Sequence, residues 1–135
     1  MTFFEWNPQL SVENPSIDED HKHLIQLVNE FGVVAAQDQE IDRLEQILQT
    51  LLVYTQEHFQ KEEELMAAIG YHKIKPHQEQ HRKLLARVED LHNEFHGGKR
   101  RIASETAELL RFWLTSHIML SDKELAEAIR RANLQ

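Results

Sequence analysis

The sequence predicts an all-α protein, an up-down-up-down antiparallel four-helix bundle with an N-terminal arm and a short C-terminal helix. Glycine and proline are scarce, with four and three copies among 135 residues, so long stretches are free to be helical. The few breaks leave four long segments, each with apolar residues at steps of three and four. Short connections between long amphipathic helices favour antiparallel neighbours in one bundle.

The helices are placed by their periodicity and by their expected start signals. Ser16 with Glu19 predicts a capping box at the start of the first helix, and Ser121 with Glu124 predicts another before the last. Residues 1–135 are expected to form a single domain. Its predicted elements are an arm at 1–15, four helices at roughly 17–37, 40–69, 75–96 and 101–119, and a short helix at roughly 122–132.

Composition narrows the classes of function. The chain has no cysteine, which excludes disulfides, thiolate metal sites and cysteine nucleophiles. The formal net charge is −8, and an acidic surface repels phosphate backbones and anionic lipids, so no nucleic-acid or membrane partner is expected. Neither a signal peptide nor an apolar stretch of the ~20 residues that span a bilayer is visible, so a cytoplasmic location is expected.

Histidine is unusually frequent, with nine copies, and it is the commonest metal ligand. Five of the nine histidines fall on the apolar stripes that face inward. A carboxylate, Glu62, lies on the same stripe, where burial without a partner costs several kcal/mol. A metal ion would pair all of these groups at once. The inward-facing candidates are His21, His58, Glu62, His77, His81 and His117.

These candidates are predicted to lie at the same height along the bundle axis. His58 and Glu62 are four positions apart, as are His77 and His81, so each pair projects from one helix face. One such pair is a weak signal, because most lie on solvated helix surface. In an antiparallel bundle, the N-termini of the first and third helices lie at the same end of the bundle as the C-termini of the second and fourth helices. All six candidates are therefore expected at one end.

Asp122 allows two interpretations. It follows His117 by five positions, which on a continuous helix is roughly 140° around the axis. A helix break at Leu120 and Ser121 would free Asp122 to turn inward. Alternatively, Asp122 is a first-turn acid that the helix dipole stabilises.

A further histidine pair, which we call the decoy pair, has the spacing of a ligand pair but is not expected to bind metal. His92 and His96 have the same spacing of four positions as the candidate pairs. A rise of 1.5 Å per residue places His92 roughly 16 Å along the helix from His81. This pair is therefore expected at the far end of the bundle.

The motifs around the candidates resemble those of the hemerythrin family, specifically its single-domain bacterial members. One departure is His72 after Tyr71, where many members have proline; it affects only the loop before the third helix. The resemblance spans nearly the whole chain. The matching stretches are Trp6-Asn7 with Leu10-Ser11-Val12, Ile17 through Lys22, His58 through Glu63, Met66 through Tyr71, His77 through His81, and Trp113 through Ile118 with Asp122.

The resemblance implies a non-haem diiron centre, because every ligand position of the family is matched in this chain. One iron would have one nitrogen ligand fewer than the other and would keep an open position for dioxygen. The implied ligands are His77, His81 and His117 for one iron, His21 and His58 for the other, and Glu62 and Asp122, with a solvent-derived oxygen, as bridges.

The function that this resemblance implies is reversible O2 binding, for oxygen carriage, storage, delivery or sensing, and not catalysis. Imidazoles and only two carboxylates donate less negative charge than the four-carboxylate sites of ferritin-like proteins, which favours ferrous iron. A dry apolar pocket would protect the bound oxygen. Its candidates flank the ligands at helical spacing, and each is equally consistent with plain core. They are Leu24, Phe59, Trp113, Ile118 and Leu120.

Two alternatives stay open. One is a diiron enzyme that acts on peroxide or nitric oxide, or an iron-handling protein, although no acid or substrate pocket beyond the ligands is evident. The other is a structural bundle with incidental histidines, which the shared end of the candidates disfavours. The expected partners are dioxygen and an oxygen-acceptor protein that the sequence does not identify, and the oligomeric state is left open.

Overall fold

The chain folds as a helical bundle, in a computed structural model that describes residues 4–36, 41–96 and 103–134. These residues contain no β-strand, and the all-α four-helix bundle predicted from the sequence is confirmed. The predicted helix ends at residues 37, 40 and 101 lie outside the described residues. The elements are a 3₁₀ helix at Pro8–Leu10, α1 at Pro15–Ala36, α2 at Ile41–Ile69, α3 at Ile74–His96, α4 at Ala103–His117, a π-helical turn at Ile118–Asp122, and α5 at Lys123–Leu134.

Neighbouring helices of the bundle run antiparallel. α1 packs against both α2 and α4, and α2 also packs against α3. The start of α1 meets the end of α2 through His21 and Glu62, and the start of α3 meets the end of α4 through His81 and His117. Among the described residues, α3 and α4 approach each other less closely than the other neighbouring pairs do. A groove therefore runs along the surface between α3 and α4.

The start of α1 is capped two residues earlier than the sequence predicted. The side chain of Asn14 accepts a hydrogen bond from the backbone N–H of Ile17 at 3.2 Å, and Pro15 occupies the first helical position, where its missing N–H is not needed. The capping box of Ser16 with Glu19 is therefore wrong. Ser16 already lies inside the first turn, and its hydroxyl instead accepts a hydrogen bond from Lys61.

The end of α2 is fixed by Gly70. Its φ of 63° is the left-handed conformation that glycine adopts without a steric cost. The backbone N–H of Gly70 donates to Ala67 at 3.3 Å, and that of Tyr71 donates to Met66 at 2.9 Å. This double hydrogen bond is a Schellman motif, and it places the start of α3 beside the end of α2.

The N-terminal arm lies along α1 and α5. The backbone N–H of Phe4 donates to Asn29 at 2.7 Å, and Arg130 donates to the carbonyl of Val12 at 3.0 Å. Phe4 and Trp6 of the arm pack against the core. Among the helices at 4–36, 41–96 and 103–134, none has the length and apolar character that crossing a membrane requires.

Candidate metal centre

One end of the bundle gathers the seven ligand candidates into a single buried cluster. α1 contributes one of them, α2 and α3 contribute two each, and the last two come from the end of α4 and from the π-helical turn. All are buried, at 5% exposure or less. The candidates that the structure brings together are His21, His58, Glu62, His77, His81, His117 and Asp122.

Asp122 reaches the cluster through the π-helical turn and not through a helix break. The backbone N–H of Lys123 donates to the carbonyl of Ile118, five residues earlier, and the dihedral angles on both sides of the turn are helical. The extra residue in this turn carries Asp122 back toward the side of His117. The interpretation in which a helix break at Leu120 and Ser121 frees Asp122 is therefore wrong, and so is the second capping box.

Glu62 faces two different groups of imidazoles with its two carboxylate oxygens. Its Oε1 lies 3.0 Å from Nε2 of His81 and 3.5 Å from Nε2 of His77. Its Oε2 lies 3.1 Å from Nε2 of His58 and 3.9 Å from Nε2 of His21. Glu62 thus lies between a pair of histidines from α3 and a pair from α1 and α2.

The two carboxylate oxygens of Asp122 also face two different groups of histidines. Its Oδ1 lies 3.2 Å from Nε2 of both His77 and His117, and its Oδ2 lies 2.9 Å from Nε2 of His21. Two sets of ligand atoms result, each with its members within 4.8 Å of one another. The first set has three imidazoles and the second has two, and both carboxylates belong to both sets. The sets are Glu62, His77, His81, His117 and Asp122, and His21, His58, Glu62 and Asp122.

The donor set fits metal ions, because its polar atoms are buried without other partners. In the described parts of the chain, all five Nε2 atoms and all four carboxylate oxygens of the cluster lack a hydrogen bond. Leaving that many polar atoms unpaired in the interior is costly. Imidazole nitrogens with carboxylate oxygens suit divalent transition metals such as iron. Metal ions between the two sets would satisfy all nine atoms at once.

The electrostatics of the protein alone also favour positive charge here. Although burial opposes the shift, the hydrogen bond to Asp20 and the nearby carboxylates of Glu62 and Asp122 raise the pKa of His58 to about 10. Burial also opposes a higher pKa for His77, but Asp122 and Glu62 outweigh it and raise the pKa of His77 to about 9. The pKa of Asp122 is lowered well below its ordinary value, because the surrounding imidazoles outweigh the effect of burial. The surrounding imidazoles likewise lower the pKa of Glu62 against burial and the charge of Asp122, so both carboxylates are ionised and attract cations.

Three polar residues that the sequence reasoning missed orient the histidine rings. The Nδ1 of His58 donates to Asp20 at 2.9 Å, and the Nδ1 of His81 donates to Glu63 at 3.1 Å. Because these carboxylates accept the proton on Nδ1, the lone pair of Nε2 faces the cluster, as a metal ligand requires. Each acceptor belongs to the preceding helix.

The third orienting residue completes the pattern. The Nδ1 of His117 donates to the side-chain oxygen of Gln80 at 3.1 Å, and this oxygen also accepts from the hydroxyl of Ser121 at 2.6 Å. The sequence does contain a signal for all three residues. Asp20, Glu63 and Gln80 are each the immediate sequence neighbour of a candidate ligand.

Asp20 is itself held by other groups. Its carboxylate accepts from Nζ of Lys61 at 3.1 Å and from the hydroxyl of Tyr54 at 3.4 Å. The hydrogen bond from His58, supported by Lys61 and opposed by burial, lowers the pKa of Asp20 to about 2. Asp20 is therefore a charged and fixed acceptor for His58.

Four of the five pocket candidates lie in or against the interior near the cluster. Leu24, Phe59 and Ile118 are buried, and Trp113 is partly buried. The ring of Phe59 stacks on His81 with 3.7 Å between centroids and 5° between planes. Phe59 therefore covers one face of a candidate ligand.

Leu120 is the exception among the pocket candidates. Its side chain is 73% exposed, so its assignment to an internal pocket is wrong. The wider π-helical turn begins at Ile118, and the rotation that brings Asp122 inward leaves Leu120 on the outer surface.

The decoy histidines lie apart from the cluster. Nε2 of His92 lies 3.9 Å from a carboxylate oxygen of Glu45, which belongs to the first turns of α2. This position is the opposite end of the bundle. The side chain of His96 lies outside the described residues.

The fold and the cluster define a class: helical bundles whose core holds a histidine and carboxylate site for metal cations. A sequence profile of the family described as "Hemerythrin HHE cation binding domain" matches residues 14–129. The chain belongs to the hemerythrin family, as the resemblance of its motifs predicted.

Individual relatives agree with this assignment. The chain is 29% identical to a bacteriohemerythrin of Pseudomonas aeruginosa, over 98% of this chain and 85% of the relative. It is 33% identical to a bacteriohemerythrin of Methylococcus capsulatus, over 78% of this chain and 80% of the relative. A crystal structure of a wild-type hemerythrin superposes with a TM-score of 0.87 at 27% identity, covering 94% of this chain and 98% of that one.

Proposed function

We propose that this chain binds O2 reversibly at two iron ions, for oxygen carriage, storage, delivery or sensing. The observation that carries the proposal is the division of the carboxylates. Glu62 and Asp122 each turn one oxygen toward the set with three imidazoles and the other oxygen toward the set with two. The ligands we propose are His77, His81 and His117 for one ion, His21 and His58 for the other, and Glu62 and Asp122 as bridges with a solvent-derived oxygen.

The unequal donor count supports binding of a small external ligand. The set around His77 offers three nitrogens and two oxygens, which with one shared solvent oxygen would fill six positions on an ion held there. The set around His21 and His58 offers one nitrogen fewer, so an ion held on that side would keep a free position. Ferrous iron held there would supply electrons that dioxygen takes up and returns.

The chain's own residues favour reversible binding over permanent oxidation. Only two carboxylates lie among the donors, and fewer anions favour the ferrous state. The Nδ1 hydrogen bonds of His58, His81 and His117 hold the rings in place before any ligand arrives. Leu24 and Ile118 are buried near the cluster and would keep water from it.

The test is metal analysis combined with an optical spectrum. Protein produced in iron-rich medium should contain about two irons per chain. Its visible spectrum should change on exposure to oxygen and return when oxygen is removed, over repeated cycles. One iron per chain, or zinc that iron does not displace, would contradict the two-iron site. Rapid turnover of peroxide or nitric oxide, with no persistent oxygenated form, would favour a diiron enzyme instead.

A further inference from the structure

The groove between α3 and α4 brings the molecular surface close to the cluster. It encloses about 380 Å³, and a second depression continues it along the same seam through Leu84 and Trp113. The groove exists because α3 and α4 pack less closely than the other neighbouring helices. Its lining includes Gln80, Lys83, Leu84, Trp113, His117 and Leu120.

The floor of the groove connects directly to the cluster. His117, a proposed iron ligand, lines it, and so does Gln80, which accepts the hydrogen bond from Nδ1 of His117. The ring of Trp113 lies parallel to the His117 imidazole, with 5.8 Å between centroids and 9° between planes. A molecule seated in the groove would therefore be separated from the irons by little more than one imidazole.

The charge of the groove is opposite to that of the chain as a whole. Lys83 lines the groove and Arg87 lines its continuation, and none of the carboxylates in the described parts of the chain lines either one. Among the described residues neither cation forms an ion pair, because the nearby acids Glu79 and Glu108 are paired with Arg82 and Arg111. The chain carries a formal charge of −8. At the edge of the groove, Leu120 exposes 73% of its side chain.

We propose that this groove docks an acidic electron-transfer protein that returns the oxidised centre to its ferrous state. The inference rests on the proposed function, because ferrous iron that meets oxygen is slowly oxidised and then needs a reductant. Two molecules of a one-electron donor each lose one electron, and two ferric ions each gain one. Apolar contact around Leu120 with flanking Lys83 and Arg87 suits the small, transient and charge-steered interfaces of electron-transfer partners.

The experiment measures reduction of the oxidised, iron-loaded protein by a reduced plant-type [2Fe–2S] ferredoxin, which is an acidic one-electron donor. The groove variants are Lys83→Glu and Leu120→Ser. The matched controls are Arg43→Glu, an exposed cation on α2, and Val53→Ser, an exposed apolar residue on α2 that lines no part of the groove. Reduction by dithionite at high salt shows that the centre is intact in every variant.

We expect each groove variant to lower the second-order rate constant for ferredoxin roughly tenfold at low salt, with Arg43→Glu and Val53→Ser within about twofold of wild type. Calorimetry gives an independent readout. The affinity of oxidised ferredoxin for the iron-loaded protein should fall in the same two variants and in no control.

Three results would overturn the inference. They are equal rates in groove and control variants, a wild-type rate with ferredoxin that is insensitive to salt, and self-association of the wild type that Leu120→Ser abolishes. The last result would assign the groove to a second copy of the chain. A protein that binds oxygen reversibly but shows any of these results retains the proposed function and loses only the docking site. Failure to load a redox-active iron pair would contradict both.

Discussion

The two ends of the bundle use the same four helices and bury opposite kinds of side chain. At the far end, α1 and α2 contribute Phe31, Leu44 and Leu48 to the core, and all three are fully buried and apolar. At the end that holds the metal-ligand cluster, which we call the near end, the same helices bury His21 and Glu62 as completely. The far end is stabilised mainly by burial of apolar side chains. The near end leaves its polar atoms unpaired unless cations lie between them. Folding and metal binding should therefore be coupled at one end only.

The largest difference between the ends should appear when a glutamate of α2 is neutralised. Glu62→Gln removes the charge that both ligand sets share and replaces one of the two ligand oxygens with an amide nitrogen, so we expect nearly complete loss of the two proposed irons. Glu45→Gln makes the same change near His92 at the far end and should leave the iron content at the wild-type value. Elemental analysis of the purified variants measures this. Two irons retained in Glu62→Gln would show that Glu62 does not bridge.

Removal of the metal should have the next largest effect. Without cations the buried donors of the near end are unpaired, so we expect the melting temperature to fall by about 10 °C or more. Amide hydrogen exchange should accelerate around His58 and His117 and stay slow around Leu48 and Leu91. Uniform acceleration along all four helices would contradict a local coupling of metal and fold.

A smaller and more selective effect is expected from opening the apolar wall near the centre. Leu24 lies one turn from His21 and is buried. Leu24→Ala should admit water and shorten the lifetime of the oxygenated protein several-fold at equal iron content. The matched variant Leu48→Ala removes the same atoms from the far end. Both should lose ~2–5 kcal/mol of unfolding free energy, but only Leu24→Ala should change the decay rate of the visible band. Equal decay rates would remove Leu24 from the pocket.

The smallest effect is expected at the decoy pair. His92 is partly exposed beside Glu45, far from the ligand sets. His92→Ala should therefore leave the iron content unchanged and alter the unfolding free energy by no more than about 0.5 kcal/mol. Iron analysis and thermal melts of this variant test the assignment of the two ends. Loss of iron would mean that His92 takes part in the site.

The sequence was sufficient to predict the bundle and the clustering of six ligand candidates. Helical periodicity identified which side chains face inward, and antiparallel topology brought His21, His58 and His117 to one end. Both properties depend on the backbone repeat of a regular helix. The π-helical turn was not predictable in this way, because a bond to the fifth residue back uses the same residue types as a regular turn. The inward position of Asp122 and the outward position of Leu120 both follow from that turn.

Other parts of the site depend on contacts between helices. Asp20, Glu63 and Gln80 each orient a histidine of the next helix, and this requires the rotation and separation of two helices to be known. Competition between neighbouring residues for the N-cap position explains why the cap of α1 was predicted at the wrong residue. Ser16 has the residue type of a cap, but Asn14 followed by Pro15 forms a better one a residue or two earlier.

The π-helical turn also sets the phase of everything that follows it. The π-helical turn contains one residue more than a regular helical turn. This extra residue directs Asp122 to the metal centre, and it also directs the buried face of α5, with Leu125 and Ile129, to the core. Deleting a single residue between Ile118 and Ser121 would leave α4 and α5 helical but rotate the second against the first by about 100°. The metal ligand and the apolar face would then turn away together. A one-residue gap at this point in a related chain would therefore predict loss of the site even where every ligand residue is still present.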